Sequence, residues 1–226
     1  QSATLPDSLA GRDVLGQGRT GSGKTLAFAL PLVARLAASP KEPMRGRPRA
    51  LVLVPTRELA TQVAAVIEPL AAAFRMSTVT VFGGVGHGAQ RKAFHSGVEI
   101  VVACPGRLLD HMQAGDVNLD RVEITVLDEA DHMADLGFLP GVTRLLAQTP
   151  QSGQRLFFSA TLDKGIDGLV KRFLTRPARH EADSPQAPVT TMDHHVLHVR
   201  ETLRADVLAD LAAAPGRTVI FTRTKY

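Results

Sequence analysis

The sequence predicts an α/β fold of three layers built on a mostly parallel sheet. Runs such as "ALVLV" at Ala50–Val54 and "EIVVA" at Glu99–Ala103 are apolar at successive positions. That pattern suits a parallel strand covered on both faces. Longer stretches with helical spacing lie between such runs, so strands and helices alternate. Near Glu181 the texture changes, because "EADSPQAPVTT" holds Pro and Ser and little apolar content. It reads as a linker that closes the first domain.

Taken in order, strands are expected at Asp13–Gly16, Ala50–Val54, Thr78–Phe82, Glu99–Ala103, Glu123–Leu127 and Arg155–Phe158. Helices are expected at Lys24–Ala37, Arg57–Phe74, Ala89–His95, Pro105–Gln113, Leu139–Leu146 and Lys164–Phe173. Pro31 is expected to kink the first of these about two turns in. The Pro- and Arg-rich "SPKEPMRGRPR" reads as an exposed loop between the first helix and the second strand. After the linker, "HHVLHVR", "ETLRADVLADLAAA" and "RTVIFT" read as strand, helix and strand. They resemble the start of a second α/β domain, too short to bury a useful core alone. The expected boundaries are 1–181 for the first domain, 182–190 for the linker and 191–226 for the incomplete second domain.

Composition narrows the function classes. An apolar share of 44% calls for a packed interior rather than disorder. With no Trp and one Tyr, base recognition by rows of stacked rings is not expected to dominate. A net charge of +4 fits a polyanionic partner without demanding one. The single cysteine, Cys104, rules out a disulfide within the chain and points to a reducing compartment. The most apolar stretch, Leu26–Ala38, is broken by Pro31 and Arg35, and no run reaches the ~18 residues a membrane span needs. The expectation is a cytoplasmic monomer without membrane contact, read as a fragment because it starts at Gln1 rather than Met.

Gly18, four residues, then Gly23-Lys24-Thr25 matches the Walker A spacing, between a strand pattern and a helix pattern. Glycines let backbone N–H groups turn inward around phosphate oxygens, and the following helix adds its positive end. Lys24 supplies a mobile charge for the β- and γ-phosphates, and Thr25 a hydroxyl for Mg²⁺. At "ITVLDEAD" an apolar strand runs into Asp128-Glu129. Asp128 is placed to hold the same Mg²⁺, and Glu129 to orient or deprotonate an attacking water. Taken alone, the two carboxylates also suit an ordinary helix start. Glu129, the Ser159-Ala160-Thr161 element and the lack of a guanine-reading Asn-Lys-x-Asp argue against a kinase or GTPase.

Asp128-Glu129-Ala130-Asp131 resembles the signature of the DEAD-box RNA helicases. Other pieces fall in that family's order: Pro55-Thr56-Arg57-Glu58-Leu59-Ala60, the doublet Gly83-Gly84, Pro105-Gly106-Arg107, Ser159-Ala160-Thr161 and "VIFTRTK" at 219–225. The resemblance covers the whole chain. It implies a RecA-like domain followed by the start of a second one. It implies an ATP-dependent RNA helicase that couples ATP hydrolysis to local duplex unwinding, or else an ATP-gated RNA clamp. By resemblance, Gln1 reads the adenine edge. Arg19, Thr20, Gly21, Ser22, Gly23, Lys24 and Thr25 cradle ATP. Thr25 and Asp128 hold Mg²⁺, and Lys24, Asp128 and Glu129 are catalytic.

The resemblance also assigns Pro55, Thr56, Arg57, Gly83, Gly84, Pro105, Gly106 and Arg107 to the backbone of single-stranded RNA, without sequence preference. Asp131, Ser159 and Thr161 would couple the ATP site to domain closure. Two departures stand out. Cys104 replaces the family's Thr before Pro105, and Cys is a poor helix cap. The chain also stops before the later motifs of the second domain, whose arginines complete the ATP site in the family. Weak ATP turnover is therefore expected of residues 1–226 alone.

Overall fold

A computed structural model describes residues 2–18, 23–161, 164–181, 193 and 195–221. Contacts divide the chain into two units, Gln1–Pro185 and Gln186–Tyr226. The first holds strands β1 (Val14–Gln17), β2 (Ala50–Leu53), β3 (Thr78–Val81), β4 (Ile100–Ala103), β5 (Ile124–Leu127), β6 (Gln154–Ser159) and β7 (Ala178–Glu181). Its helices are α1 (Leu5–Leu9), α2 (Lys24–Ala38), α3 (Arg57–Ala72), α4 (His87–Ser96), α5 (Pro105–Gln113), α6 (Ala130–Asp135), α7 (Leu139–Ala147) and α8 (Lys164–Phe173). The strands form one seven-stranded sheet in the order β3-β4-β2-β5-β6-β1-β7. All of its pairs are parallel.

Period-2 alternation splits the strand residues between two cores. Ala50, Val52, Ile100, Val102, Ile124, Val126, Leu156 and Phe158 pack with α2 and α3 through Phe28, Leu32, Leu36, Val63 and Ile67. Leu51, Leu53, Val101, Ala103, Leu127 and Phe157 face the other way, toward Phe94, Leu108, Val142, Leu145, Ile166 and Leu169 of α4, α5, α7 and α8. Helices on both faces complete the three layers, as expected. The Phe28 and Phe158 rings meet at 5.5 Å between centroids. A Cβ on Gly16 would lie 2.6 Å from the Phe158 ring, so β1 can pass there only as glycine. Asp13 fastens the start of β1, accepting from the Arg155 N–H at 2.8 Å and the Thr175 N–H at 2.7 Å.

α2 and α3 fall close to the expected spans, with Pro31 buried inside the first and Pro69 inside the second. The missing N–H removes one helix bond, but packing of Phe28, Leu32 and Leu36 into the core holds the helix. α1, α6 and β7 lack the strong patterns that mark the others. β7 is "ARHE", a polar edge strand paired on one side only.

In the second unit, a 3-10 turn at Glu201–Leu203 leads into α9 (Arg204–Ala212). The expected flanking strands are absent among its described residues. Val196 is 96% and Phe221 92% exposed. A strand needs a hydrogen-bonded neighbour, and the described residues of this unit supply none. The linker expected at 182–190 lies outside the described residues.

Truncating Phe28 to Ala is expected to lower stability by about 3–5 kcal/mol. Leu26→Ala, on the exposed face of the same helix, is expected to stay within about 0.5 kcal/mol. Urea titration of the two variants checks the contrast.

Candidate functional site

In an open parallel sheet, ligands sit beyond the carboxyl ends of the strands. Here β5 lies between β2 and β6, and β1 lies beyond β6. The ends of β1, β6 and β5 are therefore neighbours. They carry the phosphate-loop sequence, Ser159-Ala160-Thr161 and Asp128-Glu129 respectively.

The entry to the loop is tied to β6. The Gly18 N–H donates to the Ser159 carbonyl at 3.1 Å, and Gln17 Nε2 to the Ala160 carbonyl at 3.2 Å. Gly23, with a φ of 81°, turns the chain into α2. Lys24 Nζ folds back to the Gly18 carbonyl at 2.9 Å. Thr25 follows on the first turn, half-buried. Gln1, Arg19, Thr20, Gly21 and Ser22 lie outside the described residues. A small hollow of about 60 Å³ opens beside the loop, lined by Thr4, Gly16, Gly18, Lys24, Phe158 and His180 among others.

Asp128 is 3% exposed. Burial pushes its carboxyl up to about 6, the nearby Lys24 charge pulls it down, and Glu129 and Asp131 push it further up. The charge of Lys24 is thus near enough to act on the Asp128 carboxyl. The Glu129 N–H donates to Asp128 Oδ1 at 3.0 Å. Glu129 itself takes a left-handed backbone, φ 52° and ψ 52°, at the start of α6. Such a conformation is uncommon for a residue with a side chain. Its carboxylate lies 3.4 Å from His132 Nδ1.

Asp131 ties this end of β5 to the end of β6. Its Oδ2 accepts from the Ala160 N–H at 3.1 Å, the Thr161 N–H at 2.9 Å and the Thr161 hydroxyl at 3.1 Å. Its own N–H donates to Ser159 Oγ at 3.2 Å. Burial opposes its ionisation, but the hydrogen bonds with Thr161 and Ser159 outweigh that and hold the carboxyl below its ordinary range.

The ends of β2, β4 and β3 form the other half of the same edge. Thr56 caps α3, its hydroxyl accepting from the Leu59 N–H at 3.2 Å. Arg57 lies over the Phe82 ring at 5.3 Å. Gly84 has a φ of +78°, and a Cβ there would collide with the Arg57 guanidinium. Arg107 Nη1 donates to the Val85 carbonyl at 2.8 Å. Pro55 and Pro105 are buried beneath, while Gly84 and Gly106 are exposed and Gly83 half-buried. The three segments expected to line one strand of RNA therefore sit together. Two helices start there, α3 and α5, with their positive ends at the surface. Cys104 makes no side-chain cap to α5. Burial, with Glu58 adding to it and Arg57 opposing, pushes its thiol up to about 11.

Sequence reasoning passed over Gln17, which braces the loop, and Phe82, which carries Arg57. A polar strand end and a lone aromatic give no signal of their own. The amino-terminal edge of the sheet also holds a hollow, of about 450 Å³, lined partly by Lys41, Arg49 and Glu123. Lys41 and Arg49 both pair with Glu123, at 3.0 Å and 2.6 Å, so the hollow's size does not mark chemistry. No helix among the described residues is long and apolar enough to cross a membrane.

Comparisons with known proteins agree with this geometry. The profile of the DEAD/DEAH box helicase family matches residues 1–169. The chain is 39% identical over 233 residues to the DEAD-box ATP-dependent RNA helicase 3A, chloroplastic, of Zea mays, covering 100% of this chain and 31% of that protein. It is 38% identical over 232 residues to the ATP-dependent RNA helicase RhlB of Pseudomonas aeruginosa, covering 58% of that protein. The crystal structure of a DEAD box protein from Methanococcus jannaschii superposes with a TM-score of 0.72 at 33% identity, over 94% of this chain and 56% of that one. The chain spans less than two thirds of the length of each of these relatives.

Asp128 gives a pH signature. It releases its proton near pH 6 when folded, against an ordinary value of 3.8. Between those values the folded state binds more protons than the unfolded, so stability falls as pH rises and the full cost is present above pH 6. Asp128→Asn is expected to stabilise the chain at pH 8 by on the order of 1–3 kcal/mol, with little difference below about pH 4. Urea unfolding at the two pH values measures this, and equal stability at pH 8 would contradict it.

Proposed function

Because the chain belongs to the DEAD/DEAH box helicase family, we propose that it forms the ATP-binding part of an ATP-dependent RNA helicase core. In this reading it grips one RNA strand by the backbone and couples ATP hydrolysis to local unwinding. The observation that carries it is the shared edge of the sheet: Lys24 and Asp128 lie on one half, and Arg57, the glycine doublet and Arg107 on the other.

The residues present suit a hard cation. A hydroxyl at Thr25 and a buried, electrostatically undercompensated carboxylate at Asp128 are oxygen donors of the kind Mg²⁺ takes. When bound, Mg²⁺ would neutralise charge on the phosphate oxygens. Lys24 would release the Gly18 carbonyl and turn to the phosphates. Glu129, whose backbone N–H is held by Asp128, would orient and deprotonate the water. Gln1 is assigned to the adenine edge.

On the other half, the first turns of α3 and α5 and the N–H groups of Gly83 and Gly84 would face phosphate oxygens, which positions a backbone without reading sequence. Discrimination against DNA would rest on 2′-hydroxyl contacts. Asp131 would carry changes at the phosphates into Ser159-Ala160-Thr161 through its hydrogen bonds. Completion of the ATP site falls to the remainder of a second RecA-like domain, so residues 1–226 alone would turn ATP over slowly.

ATP hydrolysis by the full-length protein with RNA, with DNA and with neither tests this. Stimulation by RNA only is expected, and equal stimulation by DNA would replace the reading with a DNA-dependent motor. Glu129→Gln is expected to lower kcat by about 100-fold or more while ATP binding is retained. Residues 1–226 are expected to hydrolyse ATP more slowly than the full-length protein, and equal rates would refute the two-sided site.

A further inference from the structure

A buried polar chain runs beneath the glycine doublet, and nothing in the ATP or RNA contacts above uses it. It starts at exposed Arg91 of α4, whose Nε lies 3.1 Å from the Asp116 carboxylate. Asp116 Oδ2 lies 2.8 Å from Nδ1 of His111, on α5. His111 is completely buried. Its Nε2 lies 2.9 Å from Oε1 of Gln90, on α4. Gln90 Nε2 then donates to the Phe82 carbonyl at 3.1 Å. That carbonyl leads directly into Gly83.

The orientation of Gln90 follows from its partners. The Phe82 carbonyl can only accept, so the amide nitrogen must face it and the amide oxygen must face His111. Both ring nitrogens of His111 then meet acceptors, Asp116 on one side and Gln90 on the other. The hydrogen bond with His111 foremost, then those of Arg91, hold Asp116 below the ordinary carboxylate range against the cost of burial. His87 of α4 faces the imidazole at 5.0 Å and Phe94 at 5.3 Å. These rings confine it on the remaining side.

We infer that Gln90 and His111 are positioning residues for RNA, setting the Phe82–Gly84 segment relative to α5 so that the glycine doublet and Arg107 meet one RNA backbone together. The inference rests on the reading of that edge as the RNA face. Two features of the geometry favour it over simple core filling. The chain of bonds ends on a main-chain carbonyl of the very segment to be placed. It also joins the helix that opens with Gly106-Arg107 to the helix that follows the doublet. Phe82 carries Arg57 on its ring, so the third RNA segment is held by the same anchor.

Gln90→Glu is the discriminating variant. It keeps an oxygen toward His111 but sets an acceptor against the Phe82 carbonyl, where the wild type has a donor. In the full-length protein, stimulated by single-stranded polyuridylate, the RNA concentration for half-maximal ATPase is expected to rise about fivefold or more, the loss of one buried hydrogen bond. Basal hydrolysis and KM for ATP are expected to stay at wild-type values. Asp116→Asn, which loosens the far end of the chain, is expected to give a smaller rise and serves if Gln90→Glu does not fold. A lowered melting temperature with an unchanged RNA half-saturation in these variants would make the network purely structural and overturn the inference. A wild-type protein without RNA stimulation would overturn the RNA reading and this inference together. A stimulated wild type matched by both variants would overturn this inference alone.

Discussion

A carboxylate kept almost wholly out of water, its charge only partly offset by that of Lys24, is the constraint from which the rest of this molecule follows. Asp128 ends the central part of a parallel sheet, where both faces are covered and solvent is scarce. Lys24 lowers the cost of its charge but does not cancel it, since the carboxyl still sits near 6. A site of this kind is short of positive charge. Loop, helix start and strand end are each ordinary alone, and the place proposed for a cation and phosphates is where they meet.

The strand order extends that place sideways. With β5 between β2 and β6, one edge of the sheet carries two different surfaces. Toward β6 and β1 it presents carboxylates and a lysine. Toward β2, β4 and β3 it presents helix starts, glycines and arginines. Asp131 stitches the first surface internally, joining the turn after β5 to the turn after β6. The Arg57–Phe82 stack and the Arg107–Val85 bond do the same for the second. Cys104 is the weak stitch: α5 begins there without a side-chain cap, held instead by buried Pro105 and by Leu108 in the core.

Much of this was legible in the sequence, for identifiable reasons. β2, β4 and β5 are buried on both faces, so they read as unbroken apolar runs. The candidate residues at Gly18 to Thr25 and Asp128 to Asp131 stood out because phosphate and metal contacts demand residue types at fixed spacing, and the strand order brings the ends that carry them side by side. β7 was not legible, because an edge strand paired only to β1 has little to bury. The extent of α2 was legible despite Pro31, because its apolar residues recur at helical spacing and pack into the core. The strands expected after residue 191 are absent among the described residues, since apolar alternation makes a strand only beside a neighbour. Gln90 and His111 were invisible: a Gln and a His more than twenty residues apart announce nothing until α4 and α5 lie side by side.

Glu129 adds a mechanical consequence. Its left-handed backbone is disfavoured by on the order of 1 kcal/mol or more relative to an ordinary helical or extended one, and its N–H is bound by the Asp128 carboxylate. That cost sits in the main chain, between two carboxylates that are both hydrogen-bonded. Each of those carboxylates is itself fixed by main-chain donors, Asp128 by the Glu129 N–H and Asp131 by those of Ala160 and Thr161, so the costly residue lies between two anchored neighbours.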